Sequence, residues 1–220
     1  MKLVNPRIDR QINFEKANKY LLLVENPEEF YLLTNELVAQ QELGEGHWVL
    51  SDNGTLDIAK NMAVIYDYYN LMLNNKKVDA YIKNQILSAA KEGDFLDELS
   101  RINMEIIGLN NKLMQQLDLN LMANEDVTFE DLYKISNFSL VEEASLPEKL
   151  AAYVDLQIKI KNIKVVALIS PFSYFSCKAI NALIKHFEYR GLNILIVDTK
   201  NQRLAKDFEK IIIDKDLCVI

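Results

Sequence analysis

The segment 149–206 constrains the fold most strongly, because helix-like and strand-like patterns alternate along it. A helical pattern is followed by an apolar strand at 163–170, a second helical pattern and another strand at 192–198. Two strands connected by a helix form the βαβ unit of a parallel sheet. We therefore predict an α/β fold, with the parallel sheet of a nucleotide-binding or polyanion-binding protein.

The same segment is strongly basic, although the chain as a whole has a formal net charge of −7. It contains ten Lys and Arg residues against three anions, Asp155, Glu188 and Asp198, which leaves a local charge of +7. A solvated face usually mixes both signs, so the scarcity of anions favours contact with phosphate. Lys159 and Lys161 also have a simpler explanation, since cations in the last turn of a helix interact favourably with its dipole. Phosphate contact and solubility both remain open.

The loop after the first of these strands lacks the residues that bind nucleotide phosphates. Residues 170–174 read Ser-Pro-Phe-Ser-Tyr, without the Gly-rich run or the Lys of a P-loop. The strand 193–198 ends in Asp198, as does the strand that holds magnesium in an ATPase. Such strands are common, however, and we expect the Asp198 carboxylate to face solvent and cap the next turn. The scaffold is predicted without its catalytic loop.

A helical insertion divides the α/β domain. Residues 20–25 read as a strand, and Asn26 and Pro27 start a helix that continues to Gln40. Glycines then mark a hairpin around 47–50, and 62–66 is again strand-like. From about residue 74 the pattern becomes helical. We predict a head built from residues 1–70 and 138–220, interrupted by an α-helical leg, residues 71–137.

The leg contains two long helices with an apolar seam. The first helix is predicted at 76–91, and the seam of the second recurs at alternating steps of four and three. The seam residues are Phe95, Leu99, Ile102, Ile106, Leu109 and Leu113. Such a seam most often packs within its own hairpin, but a projecting hairpin also makes self-association plausible.

Cysteine, histidine and hydropathy patterns exclude several classes of protein. Cys177 and Cys218 are far apart and outside any CxxC or Cys/His ligand set, so we predict two buried free cysteines, with no disulfide and no zinc site. His47 and His186 have no carboxylate partner at ligand spacing and are interpreted as structural. The hydrolase motifs HExxH and GxSxG are missing. No apolar run could span a bilayer and no signal peptide is evident, so we expect no membrane contact and a cytoplasmic location.

Acidic and amide residues gather at 118–131. They offer the hard oxygen ligands that calcium prefers, but without the spacing of an EF-hand loop. Helix capping explains the same residues, since Thr128 with Asp131 can start a short helix. Both interpretations remain open on spacing alone.

Several segments occur in an order typical of one protein family. They are 21–30, 62–67, the helical leg, 161–169, 192–198 and 214–220. This order, over nearly the full chain, resembles the Csn2 family, the type II-A CRISPR-associated accessory proteins of spacer acquisition. The resemblance implies a P-loop-NTPase-like (RecA-like) head without a functional phosphate loop, carrying a helical leg.

The resemblance also implies a function. Members form a homotetrameric ring whose basic inner wall encloses the ends of double-stranded DNA, and calcium orders the leg against the head. They act beside the CRISPR integrase proteins and the RNA-guided nuclease, without catalysis. Carried onto this chain, the calcium ligands fall among Asp118, Glu125, Asp126 and Asp131. The DNA-binding cations are Lys159, Lys161, Lys164 and Lys178 on the head, with Lys76, Lys77 and Lys83 on the leg.

Two other functions are compatible with the same sequence. A degenerate α/β NTPase or nuclease could use Asp198, and ATP or DNA turnover would identify it. A scaffold could bind a protein partner through the leg, with the lysines serving solubility. Such a scaffold would fail to bind DNA at low salt.

Overall fold

A computed structural model describes residues 1–117, 121–123, 126–141, 143, 145–201 and 208–220. The chain divides into two compact units. The α/β unit comprises Met1–Leu73 and Glu142–Ile220, and the helical unit comprises Asn74–Val141.

The described elements are mixed helix and strand. The strands are β1 (Lys2–Val4), β2 (Ile12–Asn13), β3 (Lys19–Val24), β4 (Val49–Ser51), β5 (Thr55–Leu56), β6 (Met62–Ile65), β7 (Val165–Ile169), β8 (Asn193–Asp198) and β9 (Glu209–Ile213). The helices are α1 (Pro27–Glu42), α2 (Ile58–Asn61), α3 (Lys76–Glu92), α4 (Leu96–Gln115), α5 (Phe129–Ser136), α6 (Leu146–Lys161) and α7 (Cys177–Tyr189).

A five-stranded parallel sheet forms the centre of the α/β unit. Its strand order is β6-β7-β8-β3-β9, and every neighbouring pair is parallel. The predicted βαβ unit is present as β7, α7 and β8, so the α/β prediction is confirmed. Strand β9, which the sequence analysis missed, adds an edge beside β3.

Apolar side chains on both faces of this sheet are buried, because helices cover both faces. Successive residues of a strand point to opposite faces, so Leu195 and Val197 of β8 pack in one core while Ile194 and Ile196 pack in the other. The first core includes Leu33, Leu37 and Trp48, with side chains from α1 and the chain before β4. The second core includes Leu150, Val154, Ile180, Leu183 and Phe187, from α6 and α7.

Helix α1 begins where the sequence predicts. The side chain of Asn26 accepts hydrogen bonds from the backbone N–H groups of Glu28 (3.0 Å) and Glu29 (3.2 Å), and Pro27 is the first helical residue. An N-cap of this kind satisfies donors that have no partner inside the helix. Local sequence therefore determines the start of this helix.

Both edge strands of the parallel sheet are hydrogen-bonded by other parts of the chain. At β6, the side-chain amide of Gln41 accepts from Val64 N–H and donates to Val64 O (3.4 Å). At β9, Ile212 and Ile220 exchange backbone hydrogen bonds of 2.8 and 3.2 Å in an antiparallel arrangement. Unpaired strand edges can pair with another chain. These contacts protect both edges from that pairing.

A small antiparallel sheet accompanies the parallel one. Its order is β2-β1-β4-β5, and the β4–β5 hairpin lies in the region where glycines predicted a turn. The turn has positive φ at Asn53 (55°) and Gly54 (159°), a region that Asn and Gly adopt most readily. Nothing in the sequence analysis predicted β1 or β2.

The helical unit buries few side chains. Among its described residues only Val78 and Ala90 are buried, and α4 contributes none. Leu109 is 58% exposed and Leu113 is 51% exposed, so this part of the α4 seam is not covered within the chain. The seam therefore retains apolar surface that is available to another molecule.

None of the described helices combines the length and the apolar character needed to cross a membrane.

Candidate functional site

Three of the predicted lysines lie at the same edge of the parallel sheet. Lys159 and Lys161 are in the last turn of α6, and Lys164 directly precedes β7, so all three lie where the strands begin. We call Lys159, Lys161 and Lys164 the amino-edge lysines. Lys178 is the second residue of α7, which follows the end of β7, and it belongs to the opposite, carboxyl edge. The fold thus groups three of the four lysines that the resemblance assigns to the head.

The amino-edge lysines differ in their contacts. The Lys161 ammonium donates to the backbone oxygen of Ala59 (3.2 Å), and the Lys164 ammonium lies 3.5 Å from a carboxylate oxygen of Asp52. Lys159 is exposed and has no ion pair within the described ranges. Exposed ion pairs contribute little stability, so a phosphate can compete with Asp52 for Lys164.

Two anions of the basic segment are paired with cations near this edge. Asp155 on α6 accepts from Arg190 (2.8 Å) and lies 3.0 Å from His186 Nε2, while Glu188 lies 2.6 Å from the Lys19 ammonium. The sequence analysis did not include Lys19, because its approach depends on β3 lying beside β8. These pairs neutralise two of the three anions of the basic segment.

Both histidines have carboxylate partners that are distant in sequence. His186 pairs with Asp155, and His47 Nδ1 lies 3.2 Å from Glu36 Oε1. Neither pair belongs to a larger cluster of ligating side chains among the described residues. The contacts are consistent with the structural role predicted for these side chains.

The predicted lysines of the helical unit lie on α3. Lys76 and Lys77 are exposed in its first turn and form no ion pair within the described part of the unit. Lys83 forms an ion pair with Glu130 of α5, and this contact lowers the pKa of the Glu130 carboxyl. The Tyr133 hydroxyl donates to Asp79 O (3.2 Å), so α5 is attached to α3 by side-chain contacts.

The predicted calcium ligands are only partly described. Asp118 and Glu125 lie outside the described residues, and Asp126 is exposed. Asp131 completes the capping box of α5: its Oδ2 accepts from Thr128 Oγ1 (2.6 Å) and Thr128 N (3.2 Å), and its Oδ1 accepts from Lys134 (3.1 Å). The Thr128 hydroxyl, with Lys134, lowers the pKa of Asp131 to about 2. Asp131 therefore has the helix-capping role that its spacing from Thr128 allowed.

The described residues contain no cluster of three or more His, Cys, Asp or Glu side chains that could hold a metal ion.

The backbone N–H groups of the loop after β7 donate hydrogen bonds within the protein. Ser170 N–H donates to Val197 O (2.8 Å), Phe172 N–H to Asp198 Oδ2 (3.2 Å) and Ser173 N–H to Ser170 O (3.2 Å). The N–H groups of Tyr174 and Phe175 both donate to Pro171 O, each at 3.0 Å. Pro171 has no backbone N–H to satisfy. Every backbone N–H group from residue 170 to 175 therefore has a hydrogen-bond partner within the chain.

Asp198 is buried, and the expectation that it faces solvent is wrong. Asp198 is only 1% exposed, because β8 lies between β7 and β3 and the segment 171–173 packs against β8. Its Oδ1 accepts from Lys200 N (3.0 Å), so the predicted capping of the next turn is present. Burial raises the pKa of the Asp198 carboxyl. The carboxylate joins the turn after β8 to the loop after β7.

Replacing Asp198 by Ala is expected to destabilise the protein by about 1–3 kcal/mol, because the N–H groups of Phe172 and Lys200 lose a buried acceptor. Urea unfolding measures this change. Asp214→Ala is the matched control, since Asp214 also accepts two backbone N–H groups, from Asp216 and Cys218, but in an exposed turn where water can replace it. Equal losses in the two variants would contradict the structural role of Asp198.

The prediction that both cysteines are buried is wrong. Cys177 is the first residue of α7 and Cys218 lies in the C-terminal turn, and both are exposed. The buried face of α7 begins one turn later, at Ile180. A short apolar side chain at the end of a helix can thus remain beyond the core.

Comparisons with known proteins identify one family. The family model described as CRISPR-associated protein (Cas_Csn2) matches residues 40–217. Among solved structures, the chain is similar to a nucleotide-free ATP-binding cassette from an ABC transporter, with 11% identity and a TM-score of 0.42, over 87% of this chain and 73% of that one. No curated protein matches the chain.

Proposed function

The chain belongs to the CRISPR-associated Csn2 family, and on this premise we propose that it binds the ends of double-stranded DNA during spacer acquisition. The grouping of Lys159, Lys161 and Lys164 at one edge of the sheet is the observation that carries this proposal. Ammonium groups bind phosphates irrespective of base sequence. The protein accordingly holds the DNA backbone and does not read its bases.

Internal hydrogen bonding supports a role without nucleotide hydrolysis. A working phosphate loop directs its backbone N–H groups and a Lys at the nucleotide, whereas the donors of residues 170–175 are directed at the protein's own oxygens. The buried Asp198 accepts one of them in place of holding a metal. We therefore infer a P-loop-NTPase-like head without a functional phosphate loop, and a protein that is not an enzyme.

The exposed seam of α4 supports assembly into a ring. Apolar side chains such as Leu109 and Leu113 are stabilised when a second copy covers them. We infer a homotetramer with a basic central channel, in which the amino-edge lysines, Lys76 and Lys77 face the DNA. Its partners are the CRISPR integrase proteins and the RNA-guided nuclease that act in spacer acquisition.

The proposed function is tested by DNA topology. A ring is threaded from an end, so a linear duplex should bind better than the same plasmid as a closed circle. Binding is measured by gel shift and by fluorescence anisotropy. The control is the linear duplex with biotin–streptavidin at both ends, which should bind like the circle. Equal binding of all three forms would contradict the ring, and no binding at low salt would favour a protein scaffold that uses the α4 seam.

Calcium is expected to stabilise the protein and strengthen DNA binding more than magnesium does, because calcium accepts larger and less regular sets of oxygen ligands. Glu125→Gln combined with Asp126→Asn should abolish the heat of calcium binding that titration calorimetry measures. Glu92→Gln combined with Asp94→Asn removes the same charges elsewhere in the helical unit and should leave that heat unchanged. Calcium binding that persists in the first double variant would mean that the ligands lie elsewhere.

A further inference from the structure

Two exposed tyrosine rings lie in the segments that follow neighbouring strands. Tyr69 follows β6 and Tyr174 follows β7, and their ring centroids are 5.6 Å apart in an edge-to-face arrangement. Tyr69 is 78% exposed and Tyr174 is 39% exposed. In the described structure neither hydroxyl has a hydrogen-bond partner. We call Tyr69 and Tyr174 the tyrosine pair.

Contacts with neighbouring residues hold the tyrosine pair in place. Tyr174 packs on the buried Tyr68 with a centroid distance of 4.6 Å, and the Tyr68 hydroxyl donates to Ile169 O (3.1 Å). The backbone N–H of Tyr69 donates to Asp67 Oδ1 (3.0 Å), and that of Tyr174 to Pro171 O. Rings that are already ordered lose little conformational entropy when a ligand binds.

Cations occur on the segments next to Tyr174. Lys178 follows it by four residues, and Lys200 is joined to the same loop through Asp198. Both lysines are exposed, and neither forms an ion pair within the described ranges. On the other side, Asp67 beside Tyr69 is an anion whose pKa is lowered by Asn70. A bound phosphate is therefore favoured toward Lys178 and disfavoured toward Asp67.

We propose that the tyrosine pair stacks an unpaired nucleotide at the end of a DNA strand, with its phosphate toward Lys178. Base–aromatic stacking tolerates any sequence, since every base has a π-face. The carboxyl edge of a parallel sheet is also the usual location of ligands in open α/β folds. An acidic peptide would use the lysines but would not need the exposed rings. The inference rests on the proposed function and adds to it a preference for duplexes with single-stranded ends.

The test compares a blunt duplex with one that carries a short overhang containing 2-aminopurine, a base whose fluorescence falls on stacking. The intact protein should bind the overhang duplex about ten-fold more tightly than the blunt one and should quench the probe. Tyr69→Leu and Tyr174→Leu should remove the gain and the quenching while blunt-duplex binding persists. Tyr69→Phe and Tyr174→Phe should keep both, because the ring stacks and the hydroxyl does not. Tyr189→Leu, at an exposed tyrosine on α7, is the matched control and should change nothing.

The outcomes separate this inference from the proposed function. Two outcomes would overturn the stacking role and leave the proposed function intact. In the first, blunt duplex binds and an overhang does not increase the affinity. In the second, the overhang increases the affinity equally in both Leu variants. Overhang strands that bind through the tyrosines while blunt duplex does not bind would support the stacking role and contradict the proposed function. Displacement of the overhang by a poly-glutamate peptide, with equal losses in the Leu and Phe variants, would assign the surface to an acidic protein partner.

Discussion

Replacing Lys159, Lys161 and Lys164 together by Ala is expected to flatten the dependence of log K on log salt by up to about three units, because each phosphate contact contributes a slope of about −0.9. At about 50 mM salt the affinity for any duplex should fall on the order of a hundred-fold or more. The loss should be uniform across sequences, since phosphate contacts carry no base information. Anisotropy titrations at several salt concentrations measure both quantities.

The control for charge is the triple variant Lys91→Ala, Lys185→Ala and Lys215→Ala, at exposed lysines in the last turn of α3, on α7 and in the turn after β9. It makes the same change in net charge and should leave the slope nearly unchanged. Similar slopes for the two triple variants would mean that the amino-edge lysines face bulk solvent. The scaffold interpretation would then be the better one.

Replacing Leu109 and Leu113 by Asp is expected to dissociate the assembly while the helices stay folded. Burying a leucine side chain contributes about 1.5–3 kcal/mol, so the two changes should raise the dissociation constant at least about 100-fold. Because both side chains are exposed within the chain, their replacement should not damage the fold of the single protomer. Light scattering gives the mass, and circular dichroism gives the helix content.

Leu43 and Leu217 provide a matched control, since both are exposed leucines outside the helical unit. Their replacement by Asp should leave the mass of the assembly unchanged. An intact protein that scatters as a monomer, with or without calcium, would exclude the ring. Loss of helix content in the Leu109 and Leu113 variant would indicate that the seam packs within its own chain.

Local patterns predicted most of the elements. Asn26 and Pro27 begin α1, and Thr128 with Asp131 caps α5, because these caps need only residues within one turn of each other. The apolar runs of β7 and β8 predicted two parallel strands, which are present. Strand β9 was missed, although its three isoleucines, 211–213, carry a strand signal.

Burial could not be predicted for single polar or small residues. Asp198 was expected to face solvent, but β8 lies inside the sheet and the loop after β7 covers it. Cys177 and Cys218 were expected in the core, but Cys177 is the first residue of α7 and Cys218 lies in the turn after β9. A residue type carries only an average tendency to be buried, and the neighbours that cover it come from distant parts of the chain.

The sequence by itself determined that one segment is basic, that it forms a βαβ unit and that its loop lacks a phosphate-binding motif. Only the tertiary structure decided which lysines act together. Lys159, Lys161 and Lys164 lie at the edge where β7 begins, and Lys178 follows the edge where it ends. A strand rises about 3.3 Å per residue, so the five residues of β7 separate these edges by roughly 16 Å. Tertiary packing also brought Lys19 to Glu188 and Asp52 to Lys164, because contacts between remote segments depend on how the whole chain packs.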